Sequence, residues 1–232
     1  MIFSEFILCR YSKIIACSLF YFLMTTAAKG QSISRFIPAN PDKSARYLFY
    51  LHGGIVQDEG IHAVRPDWGK YEYEAILDTL RNYGFNVLSE PRAKGTDDEE
   101  YGIFIYRQVD TLLKLGISPE QITVVGASQG ASMTIVAAYK LRNNKIKYAV
   151  LGLCEPYMID YYAKYKDSLC GNFLSIYERS DPHGSCDKLF MEQYCKTGYK
   201  EIELNMGISH GFIFRPYPEW VHPLIKWIKE KN

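Results

Sequence analysis

Short apolar runs alternate along the chain with stretches in which apolar positions recur every three or four residues. The runs at 47–51, 85–88, 122–125, 148–153, 173–177 and 201–205 are rich in β-branched or aromatic side chains and bounded by Gly or Pro, the pattern of buried strands. Between them, 71–83 carries Ile76, Leu77 and Leu80 on one helical face and stops at Gly84. Thr96 with Glu99 makes a capping-box pattern, which predicts a helix from there toward Leu115, closed by Gly116. The acidic run Asp97-Asp98-Glu99-Glu100 then falls at a helix N-terminus, where the peptide dipoles favour negative charge, so no metal is needed to account for it. Residues 129–141, 187–195 and 219–229 also carry helical patterns. This alternation predicts an α/β protein with a mainly parallel central sheet flanked by helices on both faces. Residues 31–232 read as a single domain, with 32–44, containing Pro38 and Pro41, as an irregular lead-in. In such sheets ligands bind beyond the carboxyl ends of the strands.

The first thirty residues follow a different pattern. Arg10 and Lys13 precede an apolar run over 14–24, and small or polar residues follow through Ala27, Ala28 and Gly30. A basic start, a short apolar stretch and a small-residue exit describe a secretory signal, with cleavage after Ala28 or Gly30. The run is short for a transmembrane helix, so the protein is expected to be secreted or periplasmic, with no stable membrane span once the signal is gone. An N-terminal membrane anchor is the alternative. The apolar run continues past Cys17, which argues against a lipoprotein box there.

Composition narrows the partners. The 232 residues include 27 Lys or Arg and 26 Asp or Glu, a net charge of +1, with no long basic tract, so nothing draws the chain to nucleic acid. Apolar residues make up 47% and charged residues 23%, which excludes a disordered chain. Beyond the signal, Cys154, Cys170, Cys186 and Cys195 remain. An even number in an exported protein allows two disulfides in any of three pairings, free buried thiols being the competing reading. Their spacing does not match a zinc ribbon, and neither a metal nor an organic cofactor is expected.

Three motifs fall at predicted strand ends. Gly126-Ala127-Ser128-Gln129-Gly130 directly follows the strand at 122–125 and opens a helix. A turn this tight needs small residues two before and two after its centre, and it presents the central hydroxyl at the sheet edge as a nucleophile. Leu51-His52-Gly53-Gly54 closes the first predicted strand. Its glycines let backbone N–H groups approach a substrate oxygen, and His52 shapes the loop rather than serving as base. Asp181 follows the strand at 173–177, with Glu178 and Asp187 as rivals, and His210 follows the strand at 201–205. A serine hydroxyl needs an imidazole to take its proton, and a carboxylate to fix the imidazole tautomer. Of the other histidines, His183 reads as a solvent-exposed loop residue that could line the site, His62 as surface and His222 as structural.

With the order nucleophile, acid, histidine, the chain resembles the α/β-hydrolase superfamily over nearly the whole of its length after the N-terminal segment. The resemblance implies Ser128 as nucleophile, Asp181 as orienting acid and His210 as base. It implies Gly54 and Gln129 as donors of the oxyanion N–H groups, with Ile55 as the alternative to Gly54. Only two glycines follow His52, so the longer Gly-rich signature of the hormone-sensitive-lipase-like branch is incomplete. A nucleophilic Ser, rather than Asp or Cys, argues against a haloalkane dehalogenase or a dienelactone hydrolase. The short segment 155–171 leaves room for a short lid or none, with Tyr157, Met158, Tyr161, Tyr162 and Tyr165 forming either an aromatic flap or ordinary helix packing. The expected activity is that of a small carboxylesterase acting on a small-molecule ester, including acetylated or feruloylated glycans. A non-catalytic binding protein on the same fold and a small peptidase are the alternatives.

Overall fold

The structure is a computed structural model that describes residues 31–191 and 195–230. The signal-peptide reading, with Arg10, Lys13 and Cys17, lies outside the described residues.

The strands are β1 (Ile33–Ser34), β2 (Arg46–Leu51), β3 (Val64–Arg65), β4 (Gly69–Lys70), β5 (Phe85–Leu88), β6 (Ile122–Ala127), β7 (Lys147–Leu151), β8 (Gly171–Glu178) and β9 (Lys196–Leu204). The helices are α1 (Gly54–Glu59), α2 (Tyr73–Asn82), α3 (Asp98–Lys114), α4 (Gln129–Leu141), α5 (Pro156–Ala163), α6 (Asp187–Phe190) and α7 (Pro218–Lys229). Seven strands form one sheet in the order β1-β5-β2-β6-β7-β8-β9, and every pairing in it is parallel. β3 and β4 form a separate antiparallel hairpin.

Successive strand residues point to opposite faces, and both faces are covered. Tyr47, Phe49, Val124, Tyr148 and Val150 pack with Ile105 and Val109 of α3 and Met133 and Ile135 of α4. Leu48, Tyr50, Val125, Ala149 and Leu151 pack on the other side with Ile76 and Leu80 of α2 and Trp220 and Leu224 of α7. Each large side chain so buried contributes roughly 1.5–3 kcal/mol, which makes the central strands the most costly part of the molecule to disturb. Among the described residues no helix is long and apolar enough to cross a membrane.

Several sequence expectations need correction. The segment 32–44 is more than a lead-in, because Ile33 and Ser34 pair with Val87 and Leu88 as an edge strand. α3 is capped by Asp97, not Thr96: the Asp97 carboxylate accepts from the Glu100 N–H at 2.9 Å, while the Thr96 hydroxyl donates to the Ala93 carbonyl. A carboxylate is the better match to four unpaired N–H groups, so it takes the cap. Of the helix expected over 187–195, the described residues hold a single turn, Asp187–Phe190, and 192–194 lie outside the described residues. A disulfide from Cys195 to Cys170 holds the chain beside the start of β8, and β9 begins at once, five residues ahead of its expected start. The fourth predicted strand ends at Leu151, because Gly152 has φ +60° and turns the chain out of the sheet.

Candidate active site

The nucleophile turn is set by steric exclusion. Ser128 has φ 51° and ψ −120°, a conformation that is strained for a residue with a side chain. A Cβ on Gly126 would lie 2.2 Å from the Gly130 carbonyl oxygen, and one on Gly130 would lie 2.0 Å from the Leu51 oxygen. No other residue fits either place. The Ser128 N–H donates to the Leu151 carbonyl at 2.8 Å, which ties the turn between β6 and α4 to the end of β7.

The loop after β2 approaches the same point. A Cβ on Gly53 would sit 3.5 Å from Ser128 Cβ, so this backbone passes directly beside Ser128. Gly54 and Gln129 are the first residues of α1 and α4. First-turn N–H groups have no partner within their own helix, and the two stand where these helices begin.

A buried polar network fixes this loop. The Arg92 N–H donates to His52 Nε2 at 3.0 Å, which leaves His52 Nδ1 to donate to the Gly53 carbonyl at 2.8 Å. The Arg92 guanidinium donates to the His52 carbonyl, to Gln57 Oε1 and to Gln129 Oε1. Gln129 in turn donates to Asp98 at 2.8 Å. Burial, aided by the Arg92 charge, pushes the His52 pKa down to about 3, so this imidazole is neutral. Arg92 was not singled out from the sequence: Pro91-Arg92-Ala93 carries no spacing signal, and its role depends on burial against a loop forty residues earlier.

On the other side of Ser128, Asp181 Oδ2 accepts from His210 Nδ1 at 2.6 Å. This leaves His210 Nε2 as the free nitrogen. His210 stands over Gly152, where a Cβ would come 2.9 Å from His210 Cε1. The indole of Trp68 lies 6.0 Å away, on the turn between β3 and β4. Sequence reasoning missed Trp68, since only the folded hairpin brings it near. Among the described residues no hydrogen bond joins the Ser128 hydroxyl to His210. Such bonds are often long in unliganded sites and tighten with substrate.

Of the rival acids, neither touches His210. Glu178 is fully buried, and its carboxylate accepts from the Ser180, Met206 and Gly207 N–H groups, which ties the Asp181 loop to the segment ahead of His210. Asp187 is exposed in the first turn of α6.

His183 requires a correction. It is half-buried rather than solvent-exposed, and its Nδ1 donates to Asp181 Oδ1 at 2.8 Å. The wholly buried Asp181 side chain therefore serves two imidazoles, one on each oxygen. Burial works against its ionisation, but the bonds from His183 and His210 outweigh it and hold the carboxyl well below the usual carboxylate range. Asp181, His183 and His210 each offer a possible metal-ligand atom within 4.8 Å of the others. Both imidazoles already direct Nδ1 at the carboxylate, so the set is complete as a hydrogen-bonded group.

Asp98, Ser128, Gln129, Leu153, Tyr157 and His183 are among the residues lining an open cleft of about 230 Å³. A larger hollow of about 610 Å³, lined by Ile33, Ile61, Tyr73, Leu77 and Ser89 among others, shares no lining residue with this cleft. The five residues 157, 158, 161, 162 and 165 divide between the two expected roles. Tyr157 and Met158 line the cleft, whereas Tyr162 is buried, Tyr161 is exposed and packs edge-on against it, and Tyr165 stacks on Tyr139 at 4.0 Å. Disulfides join Cys154 to Cys186 and Cys170 to Cys195, one of the three possible pairings.

No protein-family model matches the chain, and no curated relative matches it. Solved structures do. A monoacylglycerol lipase of Paleococcus ferrophilus superposes with a TM-score of 0.56 at 14% identity, over 78% of this chain and 93% of that one. The Pyrococcus furiosus esterase Pf2001 gives 0.55 at 15%, over 81% and 84%. The fold is that of the α/β-hydrolases. Another α/β-hydrolase neighbour, Est1E of Butyrivibrio proteoclasticus, solved with ferulic acid bound, gives 0.53 at 15%, over 83% and 90%. At this distance the likeness defines the sheet and its helices and leaves the chemistry to be argued from the residues.

Proposed function

We propose that this α/β-hydrolase-fold protein is an exported serine hydrolase that cleaves small carboxylic esters through Ser128, His210 and Asp181. One observation carries the reading: the strained Ser128 turn lines a cleft and is bonded to the end of β7, and an imidazole bonded to a buried carboxylate stands over the next residue. Such strain is retained where function requires it.

In the proposed reaction Ser128 Oγ attacks the ester carbonyl and His210 Nε2 takes its proton. The oxyanion is held by the Gly54 and Gln129 N–H groups. His210 returns the proton to the departing alcohol, leaving an acyl-serine, and a water activated by the same imidazole then releases the acid. Asp181 holds His210 in the tautomer with Nε2 free. The cleft of about 230 Å³ is smaller than the roughly 300 Å³ at which drug-sized pockets begin, which favours a short acyl group. Tyr157 is 66% exposed at its edge, so its ring is available to stack on a sugar or an aromatic acid, and acetylated or feruloylated glycans are the proposed substrate class. The lipase, esterase and ferulate-bound neighbours support ester chemistry. The N-terminal pattern at 1–30 and the two disulfides support export to an oxidising compartment.

Wild type and Ser128→Ala, treated with a fluorophosphonate probe and assayed on nitrophenyl acetate and longer acyl esters, test the proposal. The expected result is label on Ser128 alone, with turnover that falls by about 10⁵–10⁶ in the variant. A folded wild-type protein with no label and no turnover overturns it in favour of a non-catalytic binding protein.

A further inference from the structure

His183 has a carboxylate on each ring nitrogen. Nδ1 lies 2.8 Å from Asp181 Oδ1, and Nε2 lies 3.2 Å from Glu155 Oε1. Nδ1 makes a hydrogen bond to its carboxylate, and the second carboxylate near Nε2 favours a proton there too, so the two negative charges together favour the form with both nitrogens protonated. An imidazole with both nitrogens protonated is a cation. Its ring centre is 4.2 Å from that of His210. The His183 backbone N–H also donates to Asp181 Oδ1, at 3.1 Å, so the whole residue grips one oxygen of the carboxylate and leaves the other for His210.

The two partners come from separate segments held together covalently. Glu155 follows Cys154, at the end of the loop after β7, and His183 lies three residues before Cys186. The Cys154–Cys186 disulfide joins these segments. Glu155 and His183 both line the cleft with Ser128.

We propose that His183, held as an imidazolium between Glu155 and Asp181, is a positioning residue that fixes the Asp181 carboxylate toward His210 and sets the lower pH limit at which His210 works as a base. The inference rests on the reading of Ser128, His210 and Asp181 as the catalytic set. Two effects act in the same direction. A cation beside His210 disfavours a second positive charge there. The same cation draws on the Asp181 charge that would otherwise stabilise protonated His210. Both act against a second positive charge on the imidazole that takes the Ser128 proton. The titratable groups facing His183 are Asp181, Glu155 and His210. Burial pulls the His183 pKa down, but the Asp181 bond and the two carboxylate charges raise it above the ordinary histidine value.

The test uses the full chain, as wild type, His183→Gln and Glu155→Gln. The pH profile of kcat/KM is measured on nitrophenyl acetate, and the imidazole nitrogens of wild type are followed by ¹⁵N NMR. In His183→Gln the acidic limb should move up by about one pH unit, with kcat lowered about 10-fold by the loosened carboxylate. Glu155→Gln should weaken the His183 cation and show in the NMR titration as earlier loss of its second proton. A purely structural His183 would lower activity without moving the limb. A folded His183→Gln protein whose limb stays in place overturns the proposal. So does a wild-type His183 that holds a single proton at about pH 7. The NMR result needs no turnover, so it decides the His183 charge state even in a protein that fails the fluorophosphonate test.

Discussion

His52 and His183 flank Ser128 from opposite sides, and their surroundings favour opposite charge states. His52 is wholly buried in the loop after β2, accepts from a backbone N–H and faces the Arg92 cation, all of which keep it neutral. His183 is half-buried on the acid–base side, between two carboxylates that favour its charged form. The first belongs to a region built from central strands β2 and β6 and locked by buried hydrogen bonds. The second belongs to loops after β7 and β8, joined by a disulfide. The same side chain thus serves as a rigid neutral spacer in one half of the site and as a counter-ion in the other. The difference follows from which groups the sheet brings to each half.

The contrast can be broken most severely at Gly130. Gly130→Ala puts a Cβ 2.0 Å from the Leu51 oxygen, backbone against backbone in the centre of the sheet. We expect destabilisation beyond about 5 kcal/mol, read as absence of soluble folded protein by circular dichroism. A folded, active variant would show that the nucleophile half is less tightly bound to the sheet than the geometry requires.

The next effect separates the two histidines by pH. The folded-state pKa of His52 lies near 3, below its ordinary value of 6.5. Its neutral form therefore contributes stability that is fully present above pH 6.5 and is lost as pH falls toward 3. At about 1.4 kcal/mol per unit, this amounts to on the order of 5 kcal/mol across that window. His183, with its pKa raised, has the opposite sign. Its contribution is complete below pH 6.5 and is lost as pH rises through its folded value. Urea unfolding of wild type and His52→Gln between about pH 4 and 7 should give a steep slope in the first and a shallower one in the second. Equal slopes would remove His52 as the source of the acid sensitivity.

The smallest of the three acts on the other half alone. Replacing Cys154 and Cys186 together by Ser opens a cross-link between residues 32 apart. The chain-entropy estimate for such a loop is about 3–4 kcal/mol. The urea midpoint should fall accordingly. Activity should fall by more than stability explains, because Glu155 is no longer held against His183. Unchanged kinetics at a lowered midpoint would make the disulfide a general staple, unconnected with the site.

What was legible in the sequence follows the range of the interactions involved. The Gly126–Gly130 turn is a local steric demand, so it could be read from five residues, and the central strands announced themselves because both sheet faces are covered. β1 escaped notice because two residues at an edge give no periodicity. The early start of β9 at Lys196 was not legible either, because it follows Cys195, which a covalent bond to Cys170 holds beside β8. His183 was undervalued for a related reason. Only the turn after Asp181 folds it back onto the carboxylate, and its other partner, Glu155, is 28 positions away. Arg92 is similar: its importance lies in what it touches.

Both disulfides fall between residues 154 and 195, after the nucleophile turn in chain order. A chain delivered N-terminus first has therefore presented β2, β5, β6 and the Ser128 turn before its first disulfide-forming thiol emerges. The half that holds Ser128 can assemble without an oxidant, while the half that holds Asp181 and His210 waits for one. Under the proposed function, catalytic competence then arrives late, as a product of oxidative maturation, and a protein kept in a reducing compartment has its serine in place before the proposed charge system that drives it.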